Sequence, residues 1–172
     1  MRLFASVFQD YKFFALSLKD NIKLEHPDDA ERLQRILQDT GLSAKLASLP
    51  NGLDTTIYRE FDGKGYTPSG GEGQRLAMCR AIYNASSIVI LDEPTAALDS
   101  KTENELYEMF DALFPNQTAI YISHRMASVK LCNRIVVLQN GEIAEAGTHD
   151  ELMQNGGIYV HFFRLQADSY QI

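Results

Sequence analysis

The chain has 172 residues, of which 45% are hydrophobic and 23% are charged, so it is long and apolar enough to bury the core of one domain. This composition excludes a disordered tail, a collagen-like fibre and a small disulfide-stapled domain. The formal net charge of −7 argues against binding by phosphate neutralisation and predicts no nucleic-acid partner.

Two cysteines, Cys79 and Cys132, lie far apart and lack the spacing of a metal or redox motif. We expect them to be buried, reduced thiols of a cytosolic protein. No apolar stretch approaches the roughly 18 residues that cross a bilayer. The sequence therefore predicts no membrane-spanning segment in these residues.

The first half of the chain begins with a strand and continues as helices. Residues 3–8 form a short apolar run that ends at a polar pair, which predicts a strand. A helix is predicted to open at Asp28-Asp29 and to close at Thr40-Gly41, and a second short one is predicted over 44–49. A cluster of five glycines follows, and behind it the apolar spacing predicts a helix that ends near residue 85.

The second half alternates strands and helices. Ile88, Val89, Ile90 and Leu91 form a continuous aliphatic run, which predicts a strand buried on both faces of a parallel sheet. The remaining predicted elements are a helix from Ser100, a strand over 119–122, a short helix over 126–131, a strand over 135–138, a hairpin turn at Asn140-Gly141 and two helices from Thr148 and Tyr159. This alternation indicates an α/β core interrupted by a helical insertion.

Two carboxylates, Asp92 and Glu93, come directly after the aliphatic strand. Ligands bind at the carboxyl ends of strands in open α/β sheets. One carboxylate has the chemistry to bind Mg²⁺ and the other to orient or deprotonate a water. An acidic pair alone favours an ordinary strand end, but its continuation through residues 94–99 makes the pattern more specific.

The segment Ser69-Gly70-Gly71-Glu72 opens the helix behind the glycine cluster. Free amides at a helix N-terminus bind anions, and glycines let a phosphate approach the backbone. Ser69 and Glu72 also have the spacing of a capping box, which recurs at Ser100/Glu103 and Thr148/Glu151. Taken alone, the segment favours a helix cap over a phosphate site.

Two further polar residues follow predicted strands. His124 comes just after the strand over 119–122, where a parallel neighbour would bring it beside Asp92 and Glu93 for contact with a terminal phosphate. Gln9 ends the first strand. Neither residue is informative by itself.

Together these motifs resemble the nucleotide-binding domain of ATP-binding cassette (ABC) transporters, over essentially the whole chain. Gln9 is similar to the Q-loop glutamine, residues 69–75 to the signature motif, and residues 88–93 to the strand with the magnesium aspartate and the catalytic glutamate. Asp99 resembles the D-loop aspartate and His124 the switch histidine. The segments 145–152 and 157–159 resemble the end of an exporter-type cassette.

The resemblance implies ATP and Mg²⁺ as cofactors and ATP hydrolysis as the family activity. It implies Glu93, His124 and Gln9 as catalytic residues and Asp92 with Gln9 as metal ligands. The nucleotide contacts implied across a head-to-tail dimer are Ser69, Gly70, Gly71, Glu72 and Asp99. The implied partners are an exporter's transmembrane domain and a second nucleotide-binding domain, at the cytoplasmic face of the cell membrane.

The resemblance also has departures. Pro68 stands where the signature usually has leucine, and Glu72 where it usually has glutamine. No segment matches G-x-x-x-x-G-K-[ST], the P-loop that cradles the phosphates. We therefore expect an incomplete ABC-type P-loop NTPase fold, without the N-terminal P-loop and β-subdomain. Its parts would be the Q-loop strand (1–14), the helical subdomain (15–85) and the C-terminal part of the ATPase core (86–172).

Two consequences follow as hypotheses, and two alternatives stay open. The chain alone should hydrolyse ATP negligibly, and an unpaired sheet edge should make it self-associate. A non-catalytic dimerisation or regulatory module is the main alternative. A DNA-repair or chromosome-organising cassette fits less well, because the chain is acidic and has no coiled-coil insertion.

Overall fold

A computed structural model describes residues 3–59, 63–94, 113–114 and 117–169, with the backbone alone at 127–128 and 167–169. The chain divides into two compact units, Met1–Ile122 and Ser123–Ile172, which we call the first and second units. The predicted D-loop residue Asp99 and most of the helix predicted from Ser100 lie outside the described residues.

The described elements follow the predicted order. In the first unit they are β1 (Phe4–Val7), α1 (Leu18–Lys23), α2 (Ala30–Asp39), α3 (Ser43–Ala47), a 3₁₀ turn (Gly52–Asp54), α4 (Gly70–Tyr83), β2 (Ile88–Asp92) and β3 (Thr118–Ile122). In the second unit they are α5 (Met126–Val129), β4 (Ile135–Gln139), β5 (Glu142–Gly147), α6 (His149–Asn155) and α7 (Ile158–Ser169). The predicted α/β class with a parallel sheet is confirmed.

The described strands of the first unit form a parallel sheet in the order β1-β2-β3. Val7 lies opposite Leu91 in β2, and Asp92 lies opposite Ile122 in β3. The carboxyl ends of all three strands therefore meet at one edge of the sheet. This edge is where the predicted catalytic carboxylates emerge.

In the described part of the chain, β2 is fully buried on one face only, which corrects the prediction that it is buried on both. Val89 and Leu91 are buried against α4, whereas Ile88 and Ile90 on the opposite face are half-buried. On that same opposite face, Phe4 of β1 is 55% exposed. An aliphatic run satisfies either arrangement, because periodicity reports which side chains are apolar and not what covers them.

Helix α4 lies between two hydrophobic clusters. Ala77, Met78 and Ala81 pack on the buried face of the sheet, while Leu76 and Cys79 pack among the helices of the insertion. Because one helix takes part in both clusters, the sheet and the helical insertion share a continuous core. Cys79 is buried and free, as predicted.

The boundaries of α2 follow from its capping residues. The Asp29 side chain accepts a hydrogen bond from the Arg32 amide at 3.0 Å, which satisfies one of the free N–H groups of the first turn. At the other end, Gly41 adopts φ 68°, a left-handed conformation that costs glycine little. The predicted start and stop of this helix are both confirmed.

Asn21 is a buried polar residue that fastens the segment before α1 to the helix. Its Oδ1 accepts from the Phe14 amide at 2.8 Å, and its Nδ2 donates to the Phe14, Leu16 and Ser17 carbonyls. Arg80 of α4 donates to the Asn21 backbone carbonyl at 2.8 Å and to its side-chain Oδ1 at 3.3 Å. One side chain thus joins the loop after β1, helix α1 and helix α4.

The second unit is a β-hairpin with helices packed against it. Asn140 and Gly141 both have positive φ, 54° and 82°, which suits the predicted two-residue hairpin turn. The Glu145 carboxylate of β5 accepts from the amides of Ile158 and Tyr159, so it caps α7 through both oxygens. In the part of the chain that the structure describes, every helix is too short or too polar to span a membrane.

Cys132 departs from the sequence prediction. The structure places it in the second unit as a thiol that forms no disulfide with the described residues and is half-buried rather than buried. Its side chain packs beside the cluster formed by Ile135, Leu152 and Tyr159. A cysteine at the margin of such a small cluster keeps part of its surface exposed.

Candidate functional site

The predicted acidic pair lies at the carboxyl edge of the sheet. Asp92 ends β2, and Glu93 turns away from it with φ 44°. The Glu93 amide donates to the Ile122 carbonyl of β3 at 2.9 Å. A left-handed conformation costs a non-glycine residue about 1 kcal/mol, so the neighbouring strand holds Glu93 in a conformation it would otherwise seldom adopt.

Gln9 follows β1 at the same edge. It is exposed and lies two residues after Val7, whose partner Leu91 immediately precedes Asp92. The register thus brings Gln9, Asp92 and Glu93 to one edge of one sheet. Their oxygens form a hard donor set that suits Mg²⁺, which binds one or two carboxylates together with phosphate oxygens and waters.

His124 lies in the second unit and is exposed. Its backbone is fixed by Gln166 of α7, whose side-chain amide donates to the His124 carbonyl and accepts from the Met126 amide at 2.8 Å. The approach of His124 to Asp92 and Glu93 stays a prediction.

The predicted signature segment forms the N-terminus of α4. Ser69 is its N-cap and forms a complete capping box with Glu72, whose Oε2 accepts from the Ser69 amide at 2.9 Å and from its hydroxyl at 2.8 Å. Among the described residues, the amides of Gly70 and Gly71 have no acceptor. The helix cap is confirmed, and the next two amides remain available to an anion.

Pro68 lies just outside this helix. A proline there removes no helical hydrogen bond, because the missing N–H would have no partner within the helix. Proline at this departure from the family signature is therefore compatible with the start of α4.

Glu72 has a strongly acidic carboxyl. Burial raises its pKa, but the hydrogen bonds from Ser69, the nearby Tyr66 hydroxyl and the charge of Lys45 outweigh this and bring the pKa to about 2. The Lys45 Nζ lies 3.4 Å from Glu72 Oε1. Glu72 is therefore ionised at neutral pH, and α3 helps to fix the start of α4.

We predict that Glu72 makes stability depend on pH. Its pKa falls from an ordinary 4.5 to about 2 on folding, so its contribution is complete above about pH 4.5 and is lost as the pH falls toward 2. Glu72→Gln should lower the free energy of unfolding by about 1 kcal/mol at pH 7 and by much less at pH 2. Denaturant titrations at both pH values test this.

The control for this prediction is Glu31→Gln, which changes an exposed carboxylate in the first turn of α2. It should leave the difference between the two pH values close to that of the unchanged chain. An equal loss of stability at pH 2 and pH 7 in Glu72→Gln would contradict the assigned role of the Glu72 charge.

Several residues that hold the site in place were not predicted. Lys45 pairs with Glu72, Gln166 holds the His124 backbone, and the Tyr11 hydroxyl donates to the Gly70 carbonyl at 2.8 Å. Each contact joins elements that are distant in sequence. Local spacing carries no signal for them, because the partner depends on tertiary packing.

Comparison with known proteins agrees with this geometry. Residues 2–96 match the family model described as ABC transporter. The chain belongs to the ABC transporter family, whose members bind ATP with Mg²⁺, and it corresponds to part of the ATP-binding domain of the exporter type.

Curated proteins named ATP-dependent lipid A-core flippase are similar to this chain. One from Burkholderia orbicola (strain AU 1054) is 40% identical over 162 residues, which cover 94% of this chain and 27% of the relative. One from Ralstonia nicotianae is 38% identical over 169 residues, covering 96% and 28% respectively. The chain thus spans little more than a quarter of the length of these relatives.

A solved structure shows the same fold. The match, described as a bacterial Atm1-family ABC exporter with ATP bound, has a TM-score of 0.83 and 29% sequence identity. It covers 96% of this chain and 29% of the matched chain.

Proposed function

We propose that this chain supplies the hydrolytic carboxylates and the signature helix of an ATP-hydrolysing domain that powers an ABC exporter. The observation that supports this most strongly is the register of β1 and β2, which brings Gln9, Asp92 and Glu93 to one edge of the sheet. The resemblance to the family's motifs, which implies metal binding and catalysis for the same residues, supports the proposal further.

Each residue has a role that its place supports. Asp92 and Gln9 would hold Mg²⁺, which neutralises phosphate charge when bound. Glu93, turned away from the strand by its positive φ, would orient the attacking water and accept its proton. His124 would contact the terminal phosphate, and Asp99 would join at the dimer interface.

The signature helix would act on a second nucleotide-binding domain. Ser69 and the amides of Gly70 and Gly71 lie at the exposed end of α4. They would bind the terminal phosphate held by the partner's P-loop, since helix N-termini favour anions. The ionised Glu72 would stabilise the cap rather than touch the phosphate. The membrane domain of an exporter would place the assembly at the cytoplasmic face of the membrane.

A chimera tests this function. This chain replaces the matching 162 residues of the Burkholderia orbicola relative, and ATP turnover is measured with and without Mg²⁺ in purified protein. We expect Mg²⁺-dependent turnover within about tenfold of the unaltered relative. A folded chimera that binds ATP without hydrolysing it contradicts the proposal and favours a non-catalytic module.

We also predict that the chain alone self-associates. Phe4, Ile120 and Ile122 lie on the same face of the sheet and are 55%, 45% and 51% exposed. Exposed apolar patches of this kind favour association. Light scattering at micromolar concentration should give a mass above that of one chain, and a stable monomer would contradict this.

A further inference from the structure

The loop that follows Gln9 lies against the start of α4 through one side chain. The Tyr11 hydroxyl donates to the carbonyl of Gly70, the first residue of α4, at 2.8 Å. The ring of Tyr11 lies against Gly73, one turn further along the helix. A Cβ at Gly73 would lie 2.6 Å from the Tyr11 hydroxyl and 2.9 Å from Cε2. A side chain at this position would therefore displace the Tyr11 ring.

A second contact fastens the same loop to the middle of α4. Arg80 donates to the Lys12 carbonyl at 3.1 Å, and its guanidinium lies 5.1 Å from the centre of the Phe13 ring. The Phe13 and Tyr11 rings are themselves 5.4 Å apart. Residues 11–13 thus run along α4 with a fixed register from its first turn to its third.

The Tyr11 hydroxyl keeps its proton at neutral pH and can therefore donate a hydrogen bond there. Burial, with a smaller effect from Tyr58, raises the pKa of the Tyr11 phenol above its usual value. The hydroxyl is therefore protonated throughout the neutral range, and its contact with Gly70 does not vary with pH there.

We propose that Tyr11 is a positioning residue that fixes the signature end of α4 relative to the Gln9 end of β1. This inference rests on the proposed function, in which Gln9 and the amides of Gly70 and Gly71 belong to the ATP-hydrolysing machinery. A displacement of the Gln9 loop then moves the start of α4, because the hydroxyl and the ring contact two successive turns of it. Tyr11 itself touches no reacting atom.

Amide NMR spectra and hydrogen exchange of the 172-residue chain test the proposal without nucleotide. Tyr11→Phe keeps the ring and removes the hydrogen bond to Gly70. We expect shifted amide resonances of Gly70 and Gly71. Exchange of the Gly73 amide, which donates to the Ser69 carbonyl at 2.8 Å, should rise about threefold to tenfold, the range that one hydrogen bond supplies.

Tyr159→Phe, which removes a hydroxyl bonded to His149 in the second unit, is the matched control and should leave these signals unchanged.

A suppressor pair distinguishes positioning from simple packing. Gly73→Ala should displace the Tyr11 ring and shift the amide resonance of Gln9, although Gln9 lies on another element. Tyr11→Ala combined with Gly73→Ala should remove that clash. In the Tyr11→Ala background, adding Gly73→Ala should therefore cause no further shift of the Gln9 amide resonance, because the ring that would transmit the shift is absent.

Two results would overturn the proposal. One is a Tyr11→Phe variant in which the amide resonances of Gly70 and Gly71 stay at their original positions and the Gly73 amide exchanges at its original rate. The other is a Gln9 shift on Gly73→Ala that is as large in the Tyr11→Ala background. Because no nucleotide is present, these outcomes are independent of turnover in the chimera, so failure of the proposed function is recognised separately.

Discussion

Glu93→Gln is expected to reduce ATP turnover by the chimera at least about a hundredfold while leaving ATP binding nearly unchanged. The substitution keeps the size of the side chain and its hydrogen-bonding oxygen but removes the group that accepts a proton from water. General-base catalysis contributes about a hundredfold to ten-thousandfold, which sets the size of the loss. Steady-state turnover and equilibrium ATP binding of the two proteins give the comparison.

Backbone geometry makes this effect specific to Glu93. Its amide is bonded to the Ile122 carbonyl at 2.9 Å and its φ is 44°, so the side chain leaves the strand in a direction fixed by β3. Glu142→Gln, at an exposed position in β5, is the control and should retain turnover. Turnover reduced equally by both substitutions, or by neither, would remove the basis for assigning Glu93 as the base.

Asn21→Ala is expected to cost about 2–4 kcal/mol of unfolding free energy. Asn21 is 1% exposed, and its side chain bonds the amide or carbonyl groups of Phe14, Leu16 and Ser17. Alanine removes these bonds together and leaves polar groups buried without their side-chain partner, which costs more than the loss of one exposed hydrogen bond. Chemical denaturation followed by circular dichroism measures the change.

The matched control is Asn51→Ala. Asn51 is exposed and makes no side-chain hydrogen bond to the 3₁₀ turn that it precedes. Its substitution should change stability by no more than about 0.5 kcal/mol. If Asn21→Ala costs no more than Asn51→Ala, then Asn21 does not join the loop, α1 and α4 as described.

Local features of this fold were predictable from the sequence because their causes are local. The capping boxes Ser69/Glu72 and Thr148/Glu151 each place two residues within one helical turn, and both are confirmed. The hairpin turn at Asn140-Gly141 depends on two residues that accept positive φ. In each case the spacing alone specifies which atoms meet.

The contacts that position the candidate site depend on distant partners. Tyr11 bonds to a residue 59 positions away, Arg80 to one 68 positions away, and Gln166 to one 42 positions away. No periodicity predicts such pairs, since each forms only after α4 or α7 has packed. The motifs identify the atoms of the candidate site, and tertiary packing decides how they are held.

The most direct test is ATP turnover by the 172-residue chain itself. It asks whether these residues supply only the hydrolytic carboxylates and the signature helix, without the part of the site that holds the phosphates. Since they contain no phosphate-cradling P-loop, we predict no measurable turnover with Mg²⁺ in chain that is folded by circular dichroism. Mg²⁺-dependent turnover that Glu93→Gln abolishes would contradict the account, because a complete phosphate site would then exist within these residues.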